Sequence, residues 1–255
     1  MIRLNSRDKK IFWSCAVCQV LTTSQVQRWH FAGASANTVQ KRIRKLVEAG
    51  YLSTVETRVC KENLVILGKE GERHLKQAGW KQELKNEIPK DLEHHLGVVD
   101  IRIAVDQGLT NPFGMKIRYF YAYWELGRFQ WSYAVIPDAI FSLRNDFTLQ
   151  VAVEFDRNTE TMDVFAKKLL LYRPLILTHP ISTVMIVAEK ESDVERLVAG
   201  LDDIRARVPV LIVALAELNR MGLGADAQPQ AQLYGSRTIA EQLEIDAAKN
   251  TNDSQ

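Results

Sequence analysis

The sequence predicts an α/β (α+β) chain in two parts: a small helical head closed by a β-hairpin, then a larger αβββαβ body. Three observations carry this. Residues 1–80 hold 14 Lys/Arg against 6 Asp/Glu, a net of +8, whereas the remainder holds 19 against 25, a net of −6. Apolar residues in the head recur mostly at helical spacing, whereas strand-like runs dominate after Asp91. Between them lies a polar, charge-rich stretch, Lys81 to Lys90, ending Ile88-Pro89, which reads as a linker.

The hydrophobic fraction of 46% is ordinary for a chain with a proper core. The longest apolar runs, such as Val208 to Leu218, are too short to span a membrane and contain Pro209. Ser6, Arg7, Asp8 and two lysines interrupt any signal-like opening, so a cytoplasmic protein without a membrane partner is expected. Cys15 and Cys18 form a C-x-x-C, but no second pair completes a structural zinc site. Three apart on an apolar helix, they read better as small hydrophobes.

In the head, Ile11, Phe12, Cys15 and Cys18 share a face of a first helix, roughly Arg7 to Val20. Thr22 and Gln25 fit a capping box opening a short second helix. Ser35 caps a third, and Gly50 closes it. On that third helix Val39, Ile43, Leu46 and Val47 must face the core. Asn37, Thr38, Gln40, Lys41 and Arg44 remain outside, side chains able to reach base edges and phosphates from the major groove. Arg42 and Lys45 lie on the flank, where phosphate contact is expected. Tyr51 to Val59 and Asn63 to Leu67 read as strands joined at Cys60-Lys61-Glu62, with Lys61 a further phosphate contact. A fourth helix, Glu70 to Ala78, ends at Gly79. This order is the winged-helix plan, and the basic surface makes residues 1–80 a DNA-binding domain.

The body, residues 91–248, opens with an amphipathic helix through Leu92, Leu96, Val99 and Ile103. Met115 to Ala122, Phe129 to Ile136 and Leu149 to Glu154 read as strands, the last preceded by the turn Arg144-Asn145-Asp146. A helix from Thr159 to Arg173, stopped by Pro174, and a buried strand, Thr183 to Ala188, follow. A helix (192–207), a strand (Val210 to Ala216) and a helix (Ser236 to Ala248) extend it, and residues 249–255 form a frayed tail. Helix-strand-strand-strand-helix-strand is the core order of restriction-endonuclease-like nucleases, in which Pro-Asp precedes Glu/Asp-x-Lys on the next strand.

Pro137-Asp138 and Glu154 occupy the corresponding places here. Carboxylates on neighbouring strands can converge on one Mg²⁺ or Mn²⁺ ion, which takes oxygen ligands and can activate a water. The lysine position, however, holds Asp156. Alternation puts Glu154 and Asp156 on one side of the strand, predicting a cluster of three carboxylates whose repulsion calls for a cation. Lys167 and Lys168 stand on the following helix, from which one can reach back with the missing charge; Lys168 is assigned that role. Tyr119, Tyr121, Tyr123 and Trp124 are read as aromatic core along a strand.

The segments Leu92-Glu93-His94-His95-Leu96-Gly97-Val98-Val99-Asp100, Pro137-Asp138-Ala139, Val153-Glu154-Phe155-Asp156-Arg157-Asn158-Thr159-Glu160 and Lys168-Leu169 with Tyr172, in this order, resemble the replication-relaxation family of plasmid and mobile-element proteins and the related MobC-class mobilisation relaxases. Asn158 departs from the family's usual glycine. The resemblance implies a winged helix joined to a nuclease-like domain that nicks or relaxes DNA at an origin. It implies Asp138, Glu154 and Asp156 as metal carboxylates, with Glu93 as a further ligand and His95 as a catalytic base. Helix packing is the competing reading for the histidine pair. For Arg157 a phosphate clamp competes with a solvent-facing partner of Glu160.

Two other relaxase chemistries fit poorly. His94 and His95 are adjacent on a helix, not alternating on a strand, and no recombinase-type Arg/His constellation is visible. The expectation is therefore a Mg²⁺- or Mn²⁺-dependent DNA-nicking protein acting on double-stranded DNA at an origin or operator-like site. Room is left for a homodimer and for relaxosome or replication proteins as partners. The alternatives are a non-catalytic replication or transcription regulator with a degenerate nuclease fold, and an adaptor whose winged helix binds protein.

Overall fold

The computed structural model describes residues 2–85, 87–107, 116–127, 133–144, 148–178 and 181–221. It divides the chain into two compact units, Met1–Val99 and Asp100–Gln255.

In the first unit, α1 (Ser6–Cys18) is opened by a capping box between Asn5 and Asp8. It ends two residues earlier than its periodicity predicts. Gln19 takes a left-handed conformation at φ 65°, turning the chain into β1 (Val20–Thr22). The expected capping box then starts α2 (Thr23–His30): Gln25 N–H donates to Thr22 Oγ1 at 3.1 Å, and Thr22 N–H to Gln25 Oε1 at 2.9 Å. Ser35 caps α3 (Ala36–Glu48), and Gly50, at φ +74°, ends it in the left-handed region that glycine reaches without strain. β2 (Leu52–Val55) and β3 (Leu64–Leu67) follow, then α4 (Lys69–Gln77). The strands are shorter than expected. Val55 pairs with Leu64, so residues 56–63 form the connecting loop. β3 is central in the antiparallel order β1-β3-β2. Ile11, Phe12, Cys15, Cys18, Val26, Val39, Ile43 and Leu46 are buried in the core. The two cysteines are thus packing residues, and burial pushes the Cys15 thiol up.

The expected boundary at residues 81–90 falls short of the observed one. α5 (Leu92–Gln107) begins inside the first unit. Leu92 packs with Val20 and Leu64. Gln25 Nε2 donates to the Leu96 carbonyl at 2.9 Å, so the opening of α5 covers β1 and α2 rather than starting a separate body.

The second unit is built on one sheet, β4 (Lys116–Ala122), β5 (Ala139–Arg144), β6 (Thr148–Asp156), β7 (Ile181–Ala188) and β8 (Val210–Ala214), in that spatial order. β4, β5 and β6 run antiparallel; β6, β7 and β8 run parallel. Between β4 and β5 lies a short helix, α6 (Tyr123–Leu126), so Tyr123 and Trp124 leave the strand that Tyr119 and Tyr121 occupy.

The second strand of the body differs most. Residues 129–132 lie outside the described residues, 133–138 are not in a strand, and β5 begins after Asp138 instead of ending before it. The run from Ala139 to Leu143 is buried throughout, so it lacks the alternation that marks a half-exposed strand.

α7 (Met162–Leu170) and α8 (Arg173–Thr178) replace the single expected helix. Pro174 sits in the first turn of α8, where a missing N–H costs little. α9 (Ser192–Gly200), α10 (Asp202–Arg205) and α11 (Leu215–Met221) complete the described chain. Phe165 and Leu169 of α7, Tyr172 in the turn before α8, and Val194 and Leu197 of α9 pack against Ala152, Ile186 and Ala188 of the sheet. The expected helix at Ser236 to Ala248 and the tail lie outside the described residues, as do Met115, Asn145 and Asp146.

Candidate functional site

Val39, Ile43 and Leu46 anchor α3 in the core, which turns Asn37, Thr38, Gln40, Lys41, Arg44 and Lys45 to the surface. An open cleft of about 760 Å³ runs along this face. Asn37, Gln40, Lys41 and Arg44 of α3 line it, together with Ser24 and Gln27 of α2 and Lys61, Glu62 and Asn63 of the loop between β2 and β3. Thr38 and Lys45 are exposed but do not line the cleft; the Thr38 and Ser35 hydroxyls are 3.0 Å apart at the head of α3.

Arg42 is a correction. Its Nε donates to Asp8 Oδ1 at 2.9 Å, its Nη2 pairs with Asp8 Oδ2, and Nη2 also meets the Arg3 carbonyl at 3.1 Å. Asp8 is fully buried. A guanidinium committed to a buried carboxylate ties α3 to α1, so Arg42 is better described as a structural residue than as a phosphate contact.

In the second unit, Asp138, just ahead of β5, comes together with Glu154 of the adjacent strand β6. Asp138 N–H donates to the Val153 carbonyl at 2.9 Å, and Asp138 Oδ2 accepts from Phe155 N–H at 2.7 Å. Glu154 is buried to 1% exposure. Its Oε1 accepts from the Tyr172 hydroxyl, and its Oε2 is 2.5 Å from Lys168 Nζ. Burial and the nearby Asp138 charge push its pKa up to about 7, against the pull of Lys168 and Tyr172. Burial also raises the Tyr172 hydroxyl, and Glu154 adds to it. Burial lowers Lys168, but Glu154 and Asp138 more than offset this, and its net shift is upward. The result is two carboxylates, a lysine and a phenol, with Asp138 and Lys168 part-exposed above a buried Glu154.

Asp156 turns to the same helical side as Glu154 but is held elsewhere. Arg196 of α9 pairs with its Oδ2, and Asn158 N–H donates to its Oδ1 at 3.1 Å. Asn158, at φ 58°, also donates from Nδ2 to Asp193 at 3.3 Å. Arg157 approaches Glu189, with 3.8 Å between Nε and Oε1.

Glu93 and His95 belong to the first unit. Glu93 is exposed. His95 is buried, and its Nε2–H donates to the Cys18 carbonyl at 2.7 Å. Burial lowers its pKa to about 4. The packing reading therefore replaces the catalytic-base reading for His95.

Among the described residues, no three His, Cys, Asp or Glu side chains are grouped to hold a metal. The expected three-carboxylate set does not fit a cation as packed, because Arg196 already neutralises Asp156. Asp138 and Glu154 remain as a candidate donor pair, since Mg²⁺ commonly takes one or two protein carboxylates and keeps its waters, although Glu154 is paired with Lys168 as Asp156 is with Arg196.

A family model described as replication-relaxation matches residues 14–184. The chain belongs to the replication-relaxation family. The span that places it there includes α3, the cleft residues, Asp138, Glu154, Lys168 and Tyr172; Asp8 and Arg196 lie outside it. No curated protein matches the chain, and no solved structure does.

Sequence reasoning missed the role of Tyr172. Its spacing of i+4 from Lys168 could have suggested that both approach one partner. Arg196 carried no comparable signal.

Proposed function

We propose that this replication-relaxation protein binds double-stranded DNA through a winged-helix first unit and nicks it at a nuclease-like site in the second, in plasmid or mobile-element replication or mobilisation of the MobC type. The observation that carries the reading is the cleft along α3. Two amides, Asn37 and Gln40, sit there beside three cations, Lys41, Arg44 and Lys61. Amides suit the adenine edge, arginine suits guanine, and lysines suit phosphate. The hairpin loop lies on the same cleft, as a wing flanking a groove-bound helix would.

In the second unit, Asp138 and Glu154 would hold Mg²⁺ or Mn²⁺. Such an ion, when bound, supplies an activated water and charge neutralisation at a phosphate. Tyr172 fixes the Glu154 carboxylate from below. Lys168 holds a positive charge at the part-exposed mouth, where a phosphate oxygen would approach. The helix order, the sheet order and the trio of Asp138, Glu154 and Lys168 support a restriction-endonuclease-like arrangement with the lysine supplied by α7.

The test has two arms. If four to six phosphates are neutralised, log K for a duplex falls with log[salt] at a slope of roughly −4 to −5. Supercoiled plasmid bearing the cognate site should become open circular with Mg²⁺ or Mn²⁺, and Asp138→Ala and Glu154→Ala should abolish this. Nicking that survives both substitutions refutes the site.

A second reading, a regulator that binds without cutting, is favoured by one observation: Glu154 and Asp156 each already have a protein cation. Tight site binding with no nicking by the wild type selects it.

A further inference from the structure

The cleft contains one acidic group among its cations, and that group is held in place. Glu62 Oε2 accepts from Ser24 N–H at 2.9 Å. The next residue, Asn63, accepts at its carbonyl from both Thr23 N–H and Thr23 Oγ1, each at 3.3 Å. The loop between β2 and β3 is thus pinned to the start of α2, and its carboxylate faces the cleft that Lys41, Arg44 and Lys61 also line. An exposed glutamate is ordinarily a solvated charge of no consequence. This one differs because its hydrogen bond keeps it on the surface that phosphates must approach.

We infer that Glu62 is an affinity-setting residue, which keeps the loop seated on α2 at the cost of repelling every phosphate that enters the cleft. The inference rests on the DNA-binding reading of the first unit. A fixed negative charge within a screening length of the phosphates opposes the sequence-independent attraction of the three cations. It leaves the protein bound only where base contacts make up the difference.

The full chain is titrated with a random-sequence duplex between about 50 and 200 mM salt, read by fluorescence anisotropy. Glu62→Gln keeps an acceptor for Ser24 and removes the charge. It should bind about three- to tenfold more tightly at the low end of that range, with the gap narrowing as salt rises. Glu62→Lys should bind more tightly still. Glu56→Gln makes the same change in net charge on the same loop but away from the cleft lining, and should leave affinity at the wild-type value. Affinity unchanged or weakened in both Glu62 variants overturns the inference, as does an equal gain from Glu56→Gln. Lys41→Ala and Arg44→Ala distinguish the two levels. If they weaken binding while the Glu62 variants do not strengthen it, only the role of Glu62 fails. If they too have no effect, the DNA-binding reading fails with it.

Discussion

Lys168 Nζ stands 2.5 Å from Glu154 Oε2, so the cation that the strand lacks at Asp156 comes from helix α7. The contact joins a residue exposed at 30% to one buried at 1%, which makes the pair asymmetric: the lysine keeps much of its hydration and the carboxylate keeps none.

Removing the lysine should therefore cost stability through its partner. Lys168→Ala leaves Glu154 buried with the Tyr172 hydroxyl and the like charge of Asp138 but no cation, a loss of about 1–3 kcal/mol once the exposure of the lysine is discounted. Adding Glu154→Gln should recover most of it, because a neutral amide is far cheaper to bury. Urea titrations of the two single variants and the double variant close the cycle; strictly additive effects would mean the pair is not coupled.

Arg42 and Lys41 are neighbours with different work. Arg42→Ala should lower the melting temperature, because it strands the buried Asp8 carboxylate, while leaving the salt slope of DNA binding at its wild-type value. Lys41→Ala should do the reverse, reducing the slope by about one with little change in melting. A slope change from Arg42→Ala would return that residue to the phosphate contacts.

His30 supplies a pH dependence. Its Nε2 is 2.9 Å from Ser14 Oγ, and burial, then Lys10 and Arg7, lower its pKa from 6.5 to about 4. The unfolded chain takes up this proton near 6.5 and the folded chain only near 4. The contribution to stability is thus fully present above 6.5, declines as pH falls between these values, and is constant below them. Across that window the loss reaches at most about 3 kcal/mol. His30→Gln should flatten the difference between urea midpoints measured at about pH 7 and about pH 4.5; an unchanged pH slope would assign the loss to other groups.

Arg102 and Glu125 form the most enclosed ion pair of the second unit among the described residues, at 2.7 Å with side chains 8% and 11% exposed. Arg102 also donates to the Phe120 carbonyl at 3.3 Å, and Glu125 accepts from Ala122 N–H at 3.0 Å. Arg102→Leu should destabilise by about 3–5 kcal/mol, because the glutamate is left charged and buried. Arg102→Leu with Glu125→Gln should be milder, since the amide still accepts from Ala122. Equal melting of the single and double variants would argue against an uncompensated charge as the cause.

What the sequence made legible follows from the range of each signal. The α3 face was readable because Val39, Ile43 and Leu46 report its orientation locally. β5 was not, because a strand buried on both faces has no period to read, and the segment before it imitates a strand. Glu154 falls on the strand read for it and Asp138 lies just ahead of the neighbouring strand β5, but the partners of the charged residues lie far along the chain. Asp8 is 34 residues from Arg42, and Arg196 is 40 from Asp156. No periodicity links residues that far apart, so a guanidinium already in use looked available and a carboxylate already neutralised looked like a ligand.

The supply of a cation by α7 also bears on how this site can change over time. A lysine two residues from a glutamate on one strand moves as a unit with it. Here 14 positions separate Glu154 from Lys168, and residues 157–161 between strand and helix form a connection whose length is free to vary. One residue inserted inside α7 ahead of Lys168 would swing the ammonium by about 100° around the helix axis and out of reach, whereas the same insertion in the connection could be absorbed by the loop. Descendants of this chain could therefore keep the same spatial trio while losing any constant spacing between its members.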